Sequence, residues 1–148
     1  MKTIGRIGLF AAATALIAAA AQAEETPSKK KAEQRMASEA AQLAAHTKNT
    51  NKECGASMTV KFDWAGVQDK DLTTYSASGW CGALLEGIRR VCSDTLGKDA
   101  VKEKIKSVTC GFGPDRKLSL KDGTLQYKIS FKSTNDADFA YEALENAL

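Results

Sequence analysis

The chain carries four cysteines, Cys54, Cys81, Cys92 and Cys110, and of its side chains these have the chemistry best defined by type and spacing. The shortest gap between two of them is the step from Cys81 to Cys92. A structural zinc site wants cysteines paired two to four residues apart, and covalent haem wants two cysteines followed directly by histidine. Neither pattern occurs, so no metal and no cofactor is expected. An even set of cysteines without such spacing reads as two disulfides.

Four cysteines allow three pairings, and helix geometry removes one. Cys81, Leu85, Ile88 and Cys92 recur at the spacing of one helical face. On that helix the two cysteines stand about 16 Å apart along the axis, at 1.5 Å per residue. A disulfide needs Cα atoms within roughly 7 Å, so both must bond to residues off the helix. A strand followed by a loop and a helix usually runs back on itself, which brings the end of the helix, with Cys92, over the start of the strand, near Cys54. Cys81 is then left for Cys110. The expected bridges are Cys54–Cys92 and Cys81–Cys110, each stabilising the fold by about 3.5 to 4 kcal/mol in the chain-entropy account. A redox role has less support. Trp80-Cys81-Gly82 opens as a dithiol motif does, but Leu84 occupies the place of the second cysteine.

The remaining chemistry-bearing residues are sparse. The single histidine, His46, lies near the end of the first helical pattern, where a surface cation is favoured and no base is required. Without a second histidine, a serine or cysteine nucleophile has no evident partner. The acidic pairs Asp69/Asp71 and Asp136/Asp138 do not continue into a calcium loop, and the second pair suits a helix start. A small envelope hydrolase working through Asp63, Asp69 or Asp71 is the alternative reading, since carboxylate pairs assemble from separate positions. The preferred reading is a non-catalytic binding protein. Trp64, Tyr75 and Trp80 bracket a polar connection that carries Asp69 and Asp71, and aromatic anchors beside a polar loop are what contact sites use.

The compartment follows from the N-terminus. Lys2 and Arg6 precede an Ala/Leu/Ile run from Ile7 to Ala21, and Ala21-Gln22-Ala23 fits the small-x-small cleavage pattern. About 15 apolar residues are too few to span a bilayer that needs roughly 20. Residues 1–23 are therefore expected to be a cleaved signal peptide, and the protein to be periplasmic or secreted, without a stable membrane anchor. Of 21 basic residues, Lys2 and Arg6 leave with the signal, so the 19 that remain nearly balance 18 acidic ones. That balance argues against nucleic acid as a partner and leaves another envelope or extracellular protein as the expected one, in the manner of an inhibitor or protector.

These residues have to be positioned by the elements around them. Ala32, Met36, Ala40, Leu43 and Thr47 mark a thin apolar stripe on a helix from Lys29 to about Thr47, with a polar break over 49–52. Met58, Val60, Phe62 and Trp64 alternate as a half-buried strand, and residues 65–77 form a long polar loop. Ser78 is placed to cap the central helix, whose stripe extends to Leu96. Gly97 marks its end, and Val101 and Ile105 face inward from one or two further turns. Gly82 and Gly87 cost that helix about 1 kcal/mol each and imply close neighbours. Val108, Cys110 and Phe112, then Leu118 and Leu120, then Leu125, Tyr127, Ile129 and Phe131 alternate as three more strands, the last two joined at Asp122-Gly123. A last helix is capped by Asn135 or Asp136 and faces inward through Phe139, Ala143 or Leu144, and Ala147. The order predicts a two-layer α+β sandwich: one mainly antiparallel sheet of about four strands with helices on one face. The expected division is an N-terminal helix and linker over residues 24–52 and a disulfide-stapled α+β domain over 53–148.

Overall fold

A computed structural model describes residues 27–68, 70–71 and 75–148. The expected signal segment, Asp69 and residues 72–74 lie outside the described residues. The elements are α1 (Pro27–Cys54), β1 (Thr59–Asp63), α2 (Ala77–Val91), α3 (Thr95–Lys104), β2 (Ser107–Phe112), β3 (Lys117–Lys121), β4 (Thr124–Ile129) and α4 (Asp136–Glu145). They form the expected two-layer α+β arrangement, and both disulfides pair as expected, Cys54 with Cys92 and Cys81 with Cys110.

The sheet corrects the expectation in one respect: it is mixed, in the order β1-β2-β4-β3. β1 pairs parallel with β2, β2 pairs parallel with β4, and only β3 and β4 are antiparallel. The reason lies in the connections. Two helices intervene between β1 and β2, and a helical crossover of that length returns the chain in parallel. The hairpin is set by Asp122 and Gly123, both at positive φ, which is the twist a two-residue turn needs. Of its two strands, β4 buries Leu125, Tyr127 and Ile129 completely, so it takes the interior place beside β2. β3, with exposed Lys117, Ser119 and Lys121, is left at the edge.

One face of the sheet meets the helices. Met58, Phe62, Val108, Cys110, Leu125, Tyr127 and Ile129 pack there against Leu84, Leu85 and Ile88 of α2, with Val101 and Ile105 from α3 and Ala140 and Leu144 from α4. The opposite face is polar. The register sets Lys61 beside Thr109, Gln126 and Ser119, and Asp63 beside Gly111, Lys128 and Lys117.

Four local expectations change. α1 does not break over 49–52 but runs on to Cys54, because its polar residues find partners: the Thr50 hydroxyl donates to the His46 carbonyl, and the Asn51 amide bonds the backbone of Met58. Gly55, at φ +62, stops it, and the Ala56 amide returns to the Asn51 carbonyl, the helix-ending motif that a glycine permits. α2 starts two residues earlier than expected, capped by Ser76, whose oxygen accepts from the Gly79 amide at 3.0 Å. The stripe ends at Cys92. Leu96 is 82% exposed, and Gly97 lies in the first turn of α3, where Asp94 caps it. On α4 the buried positions are Asp136, Ala140 and Leu144, while Phe139 and Ala143 are half-buried and Ala147 is exposed. The expected inner face was thus turned by about one residue. Asn135 holds the N-cap position without a side-chain bond, and Asp136 turns inward.

Gly82 and Gly87 have the close neighbours that their cost implied. A Cβ on Gly82 would stand 3.3 Å from the His46 ring, and one on Gly87 would stand 2.7 Å from the Ala140 Cβ. These are the crossings of α2 with α1 and with α4. His46 is accordingly a half-buried packing residue.

Candidate functional site

The three aromatic residues singled out by sequence, Trp64, Tyr75 and Trp80, are brought into one cluster at the end of the sheet where β1, β2 and β4 finish. Phe62 and Phe112 come from the last residues of β1 and β2, and Phe131 follows β4. Tyr75 stacks on Trp80, with centroids 5.1 Å apart, and lies 4.3 Å from Phe131. Trp80 touches both Phe112 and Phe131 at 5.5 Å. Phe112 stacks on Phe131 at 4.5 Å and meets Phe62 edge-on at 5.3 Å, and Phe62 continues to Trp64 at 4.7 Å. Six rings therefore form one connected set. Phe131 is 38% exposed, and Tyr75, Trp80 and Trp64 are each half-buried.

The sequence pattern missed Phe62, Phe112 and Phe131 as members. Phe112 and Phe131 were visible as the terminal apolar residues of their strand alternations and Phe62 as the one before Trp64, but nothing local says that three strand ends coincide. Parallel pairing of β1, β2 and β4 is what lines them up.

The acidic candidates do structural work. The Asp71 carboxylate accepts from the Gln68 amide at 2.9 Å, and its carbonyl accepts from the Tyr75 amide at 2.8 Å, so Asp71 shapes the approach to the cluster. Asp63 accepts from the Ala65 amide at 3.0 Å and lies 3.7 Å from the Lys128 ammonium. Asp69 lies outside the described residues. Asp136 is buried and accepts from the Tyr127 hydroxyl and from Ser133, with the Arg116 guanidinium at 3.6 Å. Burial and the bond to Asp136 push the Tyr127 hydroxyl pKa well above its ordinary value. Asp138 pairs with Arg90 at the surface. Among the described residues no group of three or more His, Cys, Asp or Glu side chains is arranged to hold a metal ion.

Beside the cluster runs a groove of about 260 Å³ between α1 and β1. Ala40, Leu43 and Ala44 of α1 form one wall, Val60, Lys61, Phe62 and Trp64 the other, and Ala77 and Ser78 close one end. Glu39 stands there too. It is buried, its Oε2 accepting from the Ser78 amide at 2.7 Å and from the Ser76 hydroxyl at 3.1 Å, while Gln42 accepts from the Ser78 hydroxyl. A carboxylate at a helix N-terminus is favourably placed, so α1 fixes the start of α2 and, through it, Trp80. Sequence reasoning passed over Glu39 because an acidic residue on a helix is normally solvated.

The two bridges hold this assembly at opposite ends. Cys54–Cys92 ties the end of α1 to the end of α2, with Cα atoms 5.2 Å apart. Cys81–Cys110 ties the N-terminal part of α2 to β2, one residue from Trp80, at 5.9 Å. The molecule is thus a disulfide-stapled α+β domain with a rigidly mounted aromatic end. Among the described residues no helix is long and apolar enough to cross a membrane. No family model, curated protein or solved structure matches the chain.

Proposed function

We propose that this chain is an exported, non-catalytic protein that binds another protein of the bacterial envelope through its aromatic end. The observation that carries the reading is the connected set of six rings that reaches the surface at Phe131, Tyr75 and Trp80. Large aromatic groups held rigidly lose little entropy on contact and dominate interface energies. The two disulfides suit an oxidising compartment, in keeping with the signal pattern of residues 1–23. Of the acidic residues in the hydrolase alternative, Asp63 and Asp71 each accept from a backbone amide, a structural use that favours the binding reading.

The test is quantitative co-purification from an envelope extract with the oxidised chain from Glu24 onward, set against a Tyr75→Ala/Phe131→Ala variant. Both side chains are partly exposed, so the variant is expected to keep its fold and its disulfides, which a circular dichroism spectrum and a thiol assay check. Proteins recovered with the wild type are expected to fall at least tenfold with the variant. Equal recovery by the two would overturn the aromatic end as the contact site.

A further inference from the structure

The geometry points to a second binding element: the free edge of β1, together with the groove beside it, accepts an extended peptide strand of apolar–acidic–apolar pattern from a protein partner. The inference deepens the binding role proposed above and rests on it only for the existence of a protein partner.

The backbone carries the argument. In a parallel pair, alternate residues of a strand aim both their amide and their carbonyl at the same neighbour. The Thr59 amide donates to the Lys106 carbonyl, which assigns Thr59, Lys61 and Asp63 to β2. The same alternation holds one strand further in, where the Ser107 amide bonds toward β4. Met58, Val60 and Phe62 therefore aim outward. Met58 is satisfied at both groups by the side chain of Asn51, its amide donating to Oδ1 and its carbonyl accepting from Nδ2, each at 2.9 Å. Among the described residues Val60 and Phe62 have no such cover, because β2 is the only strand there that pairs with β1. Two donors and two acceptors, spaced as a strand requires, face the groove. That three consecutive residues, Val60, Lys61 and Phe62, all line it is itself the mark of a backbone edge, since their side chains alternate.

The chemistry of the occupant follows from what flanks that edge. A strand paired to β1 places residues opposite Val60 and Phe62 on the helix side, where Ala40, Leu43 and Ala44 offer an apolar wall. The residue between them emerges on the polar face opposite the exposed Lys61, and opposite charges across a strand pair are favourable while like charges are not. Antiparallel pairing of two copies centred on Lys61 sets Lys61 against Lys61, so the register that matches Val60 to Phe62 disfavours a second copy of this chain. Addition of a peptide strand at a sheet edge beside a helix is a known recognition mode, with backbone bonds supplying affinity and alternate pockets supplying specificity. The other edge, β3, has exposed lysines at both ends, Lys117 and Lys121, which is how sheets discourage pairing.

The experiment uses the oxidised, isotope-labelled chain from Glu24 onward and three synthetic nonapeptides with central Val-Glu-Val, Val-Lys-Val or Ser-Glu-Ser and Ser/Gly flanks. Titration is followed by amide shifts and hydrogen exchange. With the Val-Glu-Val peptide, the Val60 and Phe62 amides are expected to shift and to gain at least tenfold protection, with weaker responses to the other two. Ala44→Arg, at an exposed wall position, should abolish the response. Lys61→Glu should turn the acidic preference toward the Val-Lys-Val peptide by up to about fivefold, the range of a cross-strand charge pair. No response at millimolar peptide, a response confined to Tyr75, Trp80 and Phe131, or protection of Val60 and Phe62 that rises with protein concentration alone would each overturn the proposal. Whether the aromatic end binds a partner is read separately, from the Tyr75→Ala/Phe131→Ala comparison, so the two can fail independently.

Discussion

Glu39 of α1 accepts a hydrogen bond from the backbone amide of Ser78, 39 positions along the chain, at 2.7 Å. An element with only a thin apolar stripe thus supplies the carboxylate that closes the start of the central helix. Glu39→Ala would leave the Ser78 amide without its acceptor in a buried place, at a cost of about 1 to 3 kcal/mol. Urea denaturation should show the loss, and Glu39→Gln, which keeps an acceptor oxygen, should recover part of it.

Gly87→Ala should destabilise the protein even though alanine is the better helix former by about 1 kcal/mol. The added methyl would lie 2.7 Å from the Ala140 Cβ and 2.9 Å from the Ala137 carbonyl, so α2 and α4 must move apart, at a typical overpacking cost of about 1 to 3 kcal/mol. A rise in thermal midpoint on this substitution would contradict the close crossing.

Removing the Cys54–Cys92 bridge as a double alanine variant is expected to lower stability by about 3 to 4 kcal/mol, from the loop of 38 positions it closes. Full reduction should loosen or unfold the domain, given a typical total of about 5 to 15 kcal/mol. A circular dichroism melt that dithiothreitol leaves unchanged would count against this role for the bridges.

The buried Tyr127 predicts a pH dependence with a definite sign. Its hydroxyl stays protonated in the folded state beyond the pH at which an unfolded tyrosine ionises, near 10. The folded state therefore binds more protons there, and stability present below that pH is lost as pH rises above it, by up to about 1.4 kcal/mol per pH unit. Tyr127→Phe should flatten the alkaline limb of a stability curve measured between pH 9 and 11, while costing stability at neutral pH because Asp136 loses a donor. Equal alkaline slopes for the two proteins would refute the assignment.

Some of this was legible in the residues themselves. Cys81 and Cys92 share a helical face and sit too far apart to bond each other, so local geometry alone was enough to send each to a partner off that helix. The alternation of Leu125, Tyr127 and Ile129 marked a strand, and Asp122-Gly123 the turn that precedes it, because turn chemistry and side-chain period act over two to six residues.

What the tertiary structure decided depends on residues far apart in the chain. The burial of Asp136 and Glu39 was hidden because a carboxylate leaves water only when distant donors, here Tyr127 and Ser78, are delivered to it. The exposure of Leu96 was hidden because Asp94 starts a new helix that turns it outward. Parallel pairing of β1, β2 and β4 is set by crossovers and not by any strand's own pattern, and it alone gathers Phe62, Phe112 and Phe131 around Trp80. Periodicity thus determines most of the elements and cysteine spacing excludes the bridge within the helix, while the sheet order, the aromatic end and the open edge of β1 arise only when those elements compete for places in a single core.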